Sequence, residues 1–220
     1  NQNTKAKGEL PTQGIQGQDI TLQTAVLNNQ QGGIYSTNNV SLTAQTRLDN
    51  QQGELLALNT VNVQHQDNLM LNNQDGLIQG NKAVNLQAKG LESEGTIKTL
   101  GDLAVTLQDS FTLNKAFEAG NNLTFKTEGD FTNNVEQTVA NKMTISANNI
   151  VNNVNAKLSA HDTTLNSNTL TNRGLIDGHK ALINSTRVTN IGTGRIYGDH
   201  LAFSANTVEN LAETLNGETK

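Results

Sequence analysis

Apolar residues recur along the chain in pairs spaced two apart, each following a small polar cluster: Ile20/Leu22, Val40/Leu42, Val61/Val63, Val84/Leu86, Leu103/Val105, Leu123/Phe125, Met143/Ile145, Thr163/Leu165 and Leu201/Phe203. A spacing of two puts both members on one face of a β-strand. Neighbouring pairs lie about 20 residues apart, except across the 38 residues from Leu165 to Phe203. That interval holds one further copy around Leu182 and Ile183, whose register the spacing leaves open. Self-similarity at this period predicts a solenoid of about ten coils.

Two more apolar phases accompany the pairs. One follows five or six residues later: Leu27, Leu48, Leu69, Leu91, Phe111, Phe131, Ile150, Leu170, Val188 and Val208. The other comes after a Gly-rich or Asn-rich turn: Ile15, Ile34, Leu55, Ile78, Ile97, Phe117, Val139, Leu158, Ile176 and Ile196. Three short strands per coil describe an all-β, parallel β-helix. Residues 15–220 are assigned to it, with 1–14 a partial coil or a frayed end and the whole reading as a piece of something longer. A leucine-rich repeat would need L-x-x-L-x-L-x-x-N spacing and a helical back, and calcium-binding nonapeptide repeats need G-G-x-G-x-D; neither motif occurs. An antiparallel sandwich would not repeat one turn at one phase ten times.

Energetics explain why the unit comes in arrays. Three to six inward side chains at about 1.5–3 kcal/mol each do not offset ordering about 20 residues at about 1.5 kcal/mol apiece. Stacked coils gain hydrogen-bonded neighbours about 4.8 Å above and below, so ten of them would extend about 50 Å.

Composition narrows this picture. Apolar residues make up 34% and aromatics 3%, with no Trp, too little bulk for a wide globular core. The chain carries 33 Asn, 27 Thr, 19 Gly and 17 Gln, residues of turns and polar strand faces, and its one Pro precedes the repeats. Net charge is −5 with scattered Lys and Arg, which argues against nucleic-acid binding. No apolar run approaches the roughly 18 residues of a membrane span, and the absence of Cys excludes a disulfide scaffold.

An Asn recurs two places after the second apolar phase: Asn29, Asn50, Asn133, Asn152, Asn172, Asn190 and Asn210, with Asn73 following Leu71, while Ser93 and Leu113 break the row. In-phase amides predict a structural ladder at a turn, each hydrogen-bonding the next coil and tolerating left-handed backbone angles, rather than a glycan-binding surface.

Candidate chemistry is sparse. No catalytic or cofactor-binding residue is predicted: no G-x-S-x-G, H-E-x-x-H, Walker or dinucleotide motif occurs, and the glycines of Gly192–Gly198 read as turn residues. Folding the sequence on its period places His161, His179 and Asp199 at one phase, a candidate metal site set against the plainer reading of a solvated outer row. A polysaccharide-acting β-helix enzyme would need carboxylates converging on a groove built by long loops. The intervals here leave almost no spare residues, and Glu92 and Glu94 fall in a turn. Tyr35 and Tyr197, the only tyrosines, lie on separate coils and make no aromatic platform.

The segments LNNQQGGI (27–34), LDNQQGEL (48–55), LNNQDGLI (71–78), LTNRGLI (170–176) and VTNIGTGRIYGDHLAF (188–203) resemble filamentous haemagglutinin repeats. The resemblance covers roughly residues 15–215. It implies a right-handed β-helical shaft at the bacterial surface, part of a two-partner secretion exoprotein, either a contact-dependent growth-inhibition effector or a haemagglutinin-type adhesin. It further implies export through an outer-membrane transporter, with receptor binding and toxicity in other segments of the parent protein. The adhesin alternative has this segment itself binding host glycan or protein. The middle repeats, from GNNLTF (120–125) to VNNVNAKL (151–158), lack the turn glycine, so irregularity is expected between Asn133 and Leu158.

Overall fold

The computed structural model describes residues 14–65, 68–215 and 217–219; the partial coil expected at 1–14 lies, but for Gly14, outside them. The described residues contain no helix: parallel strands stack as a β-solenoid of about ten turns of roughly 20 residues. They divide into two compact units, one of residues up to 108 with 117–120, the other of 109–116 with residues from 121 onward.

In the first unit the described residues begin with two long strands, Ile15–Asn28 and Gly33–Asp49. The chain then settles into three strands per coil, as in Glu54–Ala57, Thr60–His65 and Met70–Asn72, and again in Leu77–Gly80, Ala83–Gln87 and Gly90–Ser93. Each pairs in parallel with its counterpart one coil on. Val40 faces Val61, Val61 faces Val84 and Val84 faces Leu103, with Leu42, Val63, Leu86 and Val105 as the companion row. Ile34, Leu55, Ile78 and Ile97 form the row on a second side. All of these side chains are buried, because the period-two alternation turns every second residue inward.

The second unit repeats the plan. Leu123, Met143, Thr163, Ala181 and Leu201 form one row, and Phe125, Ile145, Leu165, Ile183 and Phe203 its companion. The register the spacing left open is therefore Ala181/Ile183, with Leu182 pointing outward at 39% exposure. Thr163 is tolerated inside because its hydroxyl donates to Asp177 O at 2.8 Å and accepts from Ala160 N at 3.1 Å. Three phenylalanines supply bulk where the chain is otherwise short of it: Phe125 lies 5.5 Å from Phe111 and 4.8 Å from Phe131 between ring centroids.

Two positions of the expected rows are corrected. Leu71, not Leu69, pairs with Leu48 and Leu91. Two extra residues between His65 and Met70, relative to Ala44 and Arg47 one coil earlier, shift the phase, and Leu69 becomes an additional buried side chain in that corner. Gln137, not Val139, faces Leu158 and thereby enters the row of Leu158, Ile176 and Ile196. Gln137 is fully buried although its residue type is polar. Here the turn after Asn133 is as short as that between Asn172 and Ile176, and a reading by apolar type overshoots it by two.

The register at Ala181/Ile183 is testable. Ile183→Ala is expected to cost about 2–5 kcal/mol and Leu182→Ala within about 0.5 kcal/mol. Urea-unfolding midpoints measure both, and equal losses would contradict the assignment.

Candidate functional site

The eight in-phase asparagines form two hydrogen-bonded runs. In the first unit Asn29 Nδ2 donates to Asn50 Oδ1 at 2.7 Å, and Asn50 Nδ2 to Asn73 Oδ1 at 2.7 Å. In the second, Asn133 donates to Asn152 at 2.9 Å, Asn152 to Asn172 at 2.8 Å, Asn172 to Asn190 at 2.8 Å and Asn190 to Asn210 at 2.8 Å. Each of these amides except Asn210, the last, points its NH2 toward the following coil. That group also reaches a backbone carbonyl there, such as Glu54 O from Asn29, Leu77 O from Asn50 and Leu175 O from Asn152. Asn50, Asn73, Asn133, Asn152 and Asn172 are fully buried, so the row runs inside the wall, while Asn210 is exposed.

The turn chemistry around each amide follows from this position. Asn29, Asn50 and Asn73 open four-residue turns closed by Gly32 N, Gly53 N and Gly76 N, each donating back to the Asn carbonyl at 2.9 Å. The left-handed angle belongs to the third residue of the turn, Gln31, Gln52 or Asp75, with φ near 53°; in the second unit Asn155 has φ 63°. The ladder asparagines do not themselves use the left-handed angles that their residue type tolerates: among the described non-glycine residues with positive φ, none is a ladder asparagine. A Cβ on Gly53 would collide with Asn29 O and lie 2.6 Å from Asn50 Oδ1, and Gly76 repeats the clash with Asn50 O and Asn73 Oδ1. Close approach between coils, not backbone freedom, thus requires glycine there.

The break in the first unit falls one residue later than expected. A register shift pairs Asn72 with Ser93, so Glu94 rather than Ser93 stands opposite Asn73. Asn73 Nδ2 then donates to the Glu94 carbonyl at 2.6 Å, and the run ends on backbone. In the second unit Leu113 does face Asn133, and it is buried.

The remaining candidates are dispersed. His161 and His179 lie with ring centroids 4.8 Å apart, and His179 Nδ1 meets Asp199 Oδ2 at 2.8 Å. Among the described residues no group of three His, Cys, Asp or Glu side chains is arranged to hold a metal. Glu92 is bound by Arg47 at 3.1 Å, and that hydrogen bond is the main reason the Arg47 pKa is raised. Glu94 is buried. Tyr35 donates its hydroxyl to Glu54 Oε2 at 2.7 Å. Gly194 is a ladder-turn glycine, its Cβ position 2.5 Å from Asn190 Oδ1.

Sequence reasoning missed one feature, a groove of about 700 Å³ on the first unit. Gln16, Tyr35, Leu56 and Gln79 line it, and their in-phase positions on four successive coils were visible once the sequence was folded on the correct register. No lining residue is charged.

The haemagglutinin repeat family matches residues 15–52, 57–135 and 137–197. Deoxyribonuclease CdiA of Dickeya dadantii (strain 3937) is 31% identical over 134 residues, which is 53% of this chain and 4% of that protein. The chain therefore spans a small fraction of this relative's length. No solved structure matches.

Asn152→Ala, which takes the donor away from buried Asn172 Oδ1 and from Leu175 O, is expected to cost about 1–3 kcal/mol, and Asn210→Ala less than about 0.5 kcal/mol. Thermal unfolding of both variants checks the difference. Asp75→Gly relieves a left-handed strain of about 1–2 kcal/mol against a chain-entropy cost of about 0.5–1 kcal/mol. A net gain of about 0.5 kcal/mol in urea unfolding is the expected result, with Asp75→Val, β-branched at the same angle, destabilising instead.

Proposed function

The chain belongs to the haemagglutinin repeat family, and on that premise we propose that it is a structural shaft segment of a large secreted bacterial surface exoprotein. In this reading the parent protein leaves the cell through an outer-membrane two-partner secretion transporter. The segment holds a receptor-binding or toxin module, encoded elsewhere in the parent, away from the producing cell for contact-dependent growth inhibition. The resemblance to the Dickeya dadantii protein over about half of this chain supports the growth-inhibition context.

The observation that carries the proposal is how fully the repeat is spent on itself. Inward positions fill the rows, the turn amides bond the next coil, and turn glycines sit where a Cβ would strike the neighbouring coil. Catalysis needs groups converging on one point. The acidic residues singled out in the sequence are instead tied to structure: Glu92 is paired with Arg47, and Glu94 is packed at the end of the first amide run. A non-enzymatic role fits this arrangement. Coils that fold only when stacked also give export a direction, since each coil completed outside the cell resists return.

The uncharged groove with Tyr35 favours a second reading, in which this segment adheres directly to host glycan or protein. Saturable binding of the chain to an array of host glycans or cells, lost in Tyr35→Ala, would favour it over a spacer.

Deleting residues 143–162 from the parent removes one coil in phase, because Met143 and Thr163 are register partners. Deleting 143–152 removes half a coil and misaligns the rest. The in-phase deletion is expected to preserve surface display and inhibition of target cells, whereas the half-coil deletion and Phe125→Asp slow export. Unchanged export of the last two, or loss of inhibition with intact display in the first, would count against a spacer.

A further inference from the structure

The second unit carries exposed imidazoles on three successive coils. His161 and His179 lie with ring centroids 4.8 Å apart and planes tilted by 36°, and His200 meets His179 edge-on at 5.3 Å. Their backbones are locked together, Lys180 N donating to His161 O at 3.0 Å and His200 N to His179 O at 2.9 Å. Spacing between the rings is thus set by the ladder of the sheet, not by the side chains alone.

Each of the first two rings is held by a carboxylate at one nitrogen. His161 Nδ1 lies 2.8 Å from Asp162 Oδ1, and His179 Nδ1 lies 2.8 Å from Asp199 Oδ2. In the tautomer protonated at Nδ1 the carboxylate accepts the hydrogen bond from that N–H, and the lone pair of the neutral imidazole lies on Nε2. Metal-ligating histidines are oriented in this way. Two imidazoles bound to one ion through nitrogens about 2.0–2.1 Å from it have ring centres about 5 Å apart, a separation that the observed 4.8 Å allows. Around the column Asp162, Asp177 and Asp199 stand against Lys142 and Lys180, the lysines that pair with Asp162 on either side, which leaves a small excess of negative charge.

We propose that His161 and His179 chelate one divalent transition-metal ion through Nε2, with Asp162 and Asp199 as positioning residues. Because no ready group of three ligands exists among the described residues, water completes the coordination sphere, and His200 is the nearest further donor. Imidazole ligands select Cu²⁺, Ni²⁺ and Zn²⁺ over Mg²⁺ and Ca²⁺, which take oxygen ligands. The surface position allows an ion bound there to be shared with a ligand from outside the chain.

The test is calorimetric titration of the chain, free of any histidine tag, with Cu²⁺, Ni²⁺, Zn²⁺ and Mg²⁺. One ion per chain is expected, tightest for Cu²⁺ and absent for Mg²⁺. His161→Ala and His179→Ala should each abolish it, and Asp199→Asn should weaken it about ten-fold. Both histidines are exposed, with side-chain accessibilities of 57% and 42%, so unfolding midpoints should stay unchanged in the variants. Selective paramagnetic broadening by Cu²⁺ of the His161 and His179 ring signals, sparing His65, whose Nδ1 is buried, gives a second readout. No binding, equal binding of Mg²⁺, or binding that survives both alanine variants overturns the proposal.

Discussion

Hydrogen bonding between successive coils is the constraint on which the rest of the structure depends. In parallel strands the backbone donors and acceptors point along the stack, so a coil satisfies them almost entirely through its neighbours. The turns obey the same rule: Asn29 N donates to Asp49 O at 2.7 Å, Asn50 N to Asn72 O at 2.8 Å and Gln52 N to Gln74 O at 2.8 Å. Equivalent residues must therefore lie over one another within each unit, whatever the local repeat length. Extra residues are taken up at corners, as between His65 and Met70, where Leu69 is buried, or as a bulge in a strand, as at Glu92 between Leu91 and Ser93.

Once coils are in register, a polar residue in the wall becomes as well satisfied as an apolar one. The ladder amide shows this: a buried Asn would be costly alone, but its donors meet an identical amide and a carbonyl one coil on. The turn glycines follow, because the carbonyl below and the amide beside them occupy the space of a Cβ. Where the amide is missing the run closes on backbone, as at Glu94, or gives way to packing, as at Leu113. A thin core with few aromatics is sufficient because every inward side chain contacts its counterparts above and below.

Such an architecture leaves function to the outer surface. His161 and His179 come together because side chains at one phase recur on neighbouring coils at the strand spacing, which is also close to the separation of two rings on one metal ion, while His200 stands one place on, paired with Lys180. The uncharged groove on the first unit has the same origin, four coils contributing outward side chains at one phase. A repeat protein of this kind can display groups in lines without altering its interior.

The period, the three apolar phases and the asparagine row were legible in the sequence because each depends on local alternation and on turn residues with distinct conformational preferences. The grouping of His161, His179 and Asp199 was legible for the same reason, since folding on the period places them at one phase. What tertiary structure alone decided was register wherever apolar type misleads: Gln137 inside and Val139 two places beyond, Leu71 in the row with Leu69 as filler, Ala181 in and Leu182 out, Glu94 at the end of the amide run. Those choices follow from which corner absorbs an added or missing residue. Single residues do not encode this, because the preference exists only once the backbone of the adjacent coil is present to be bonded.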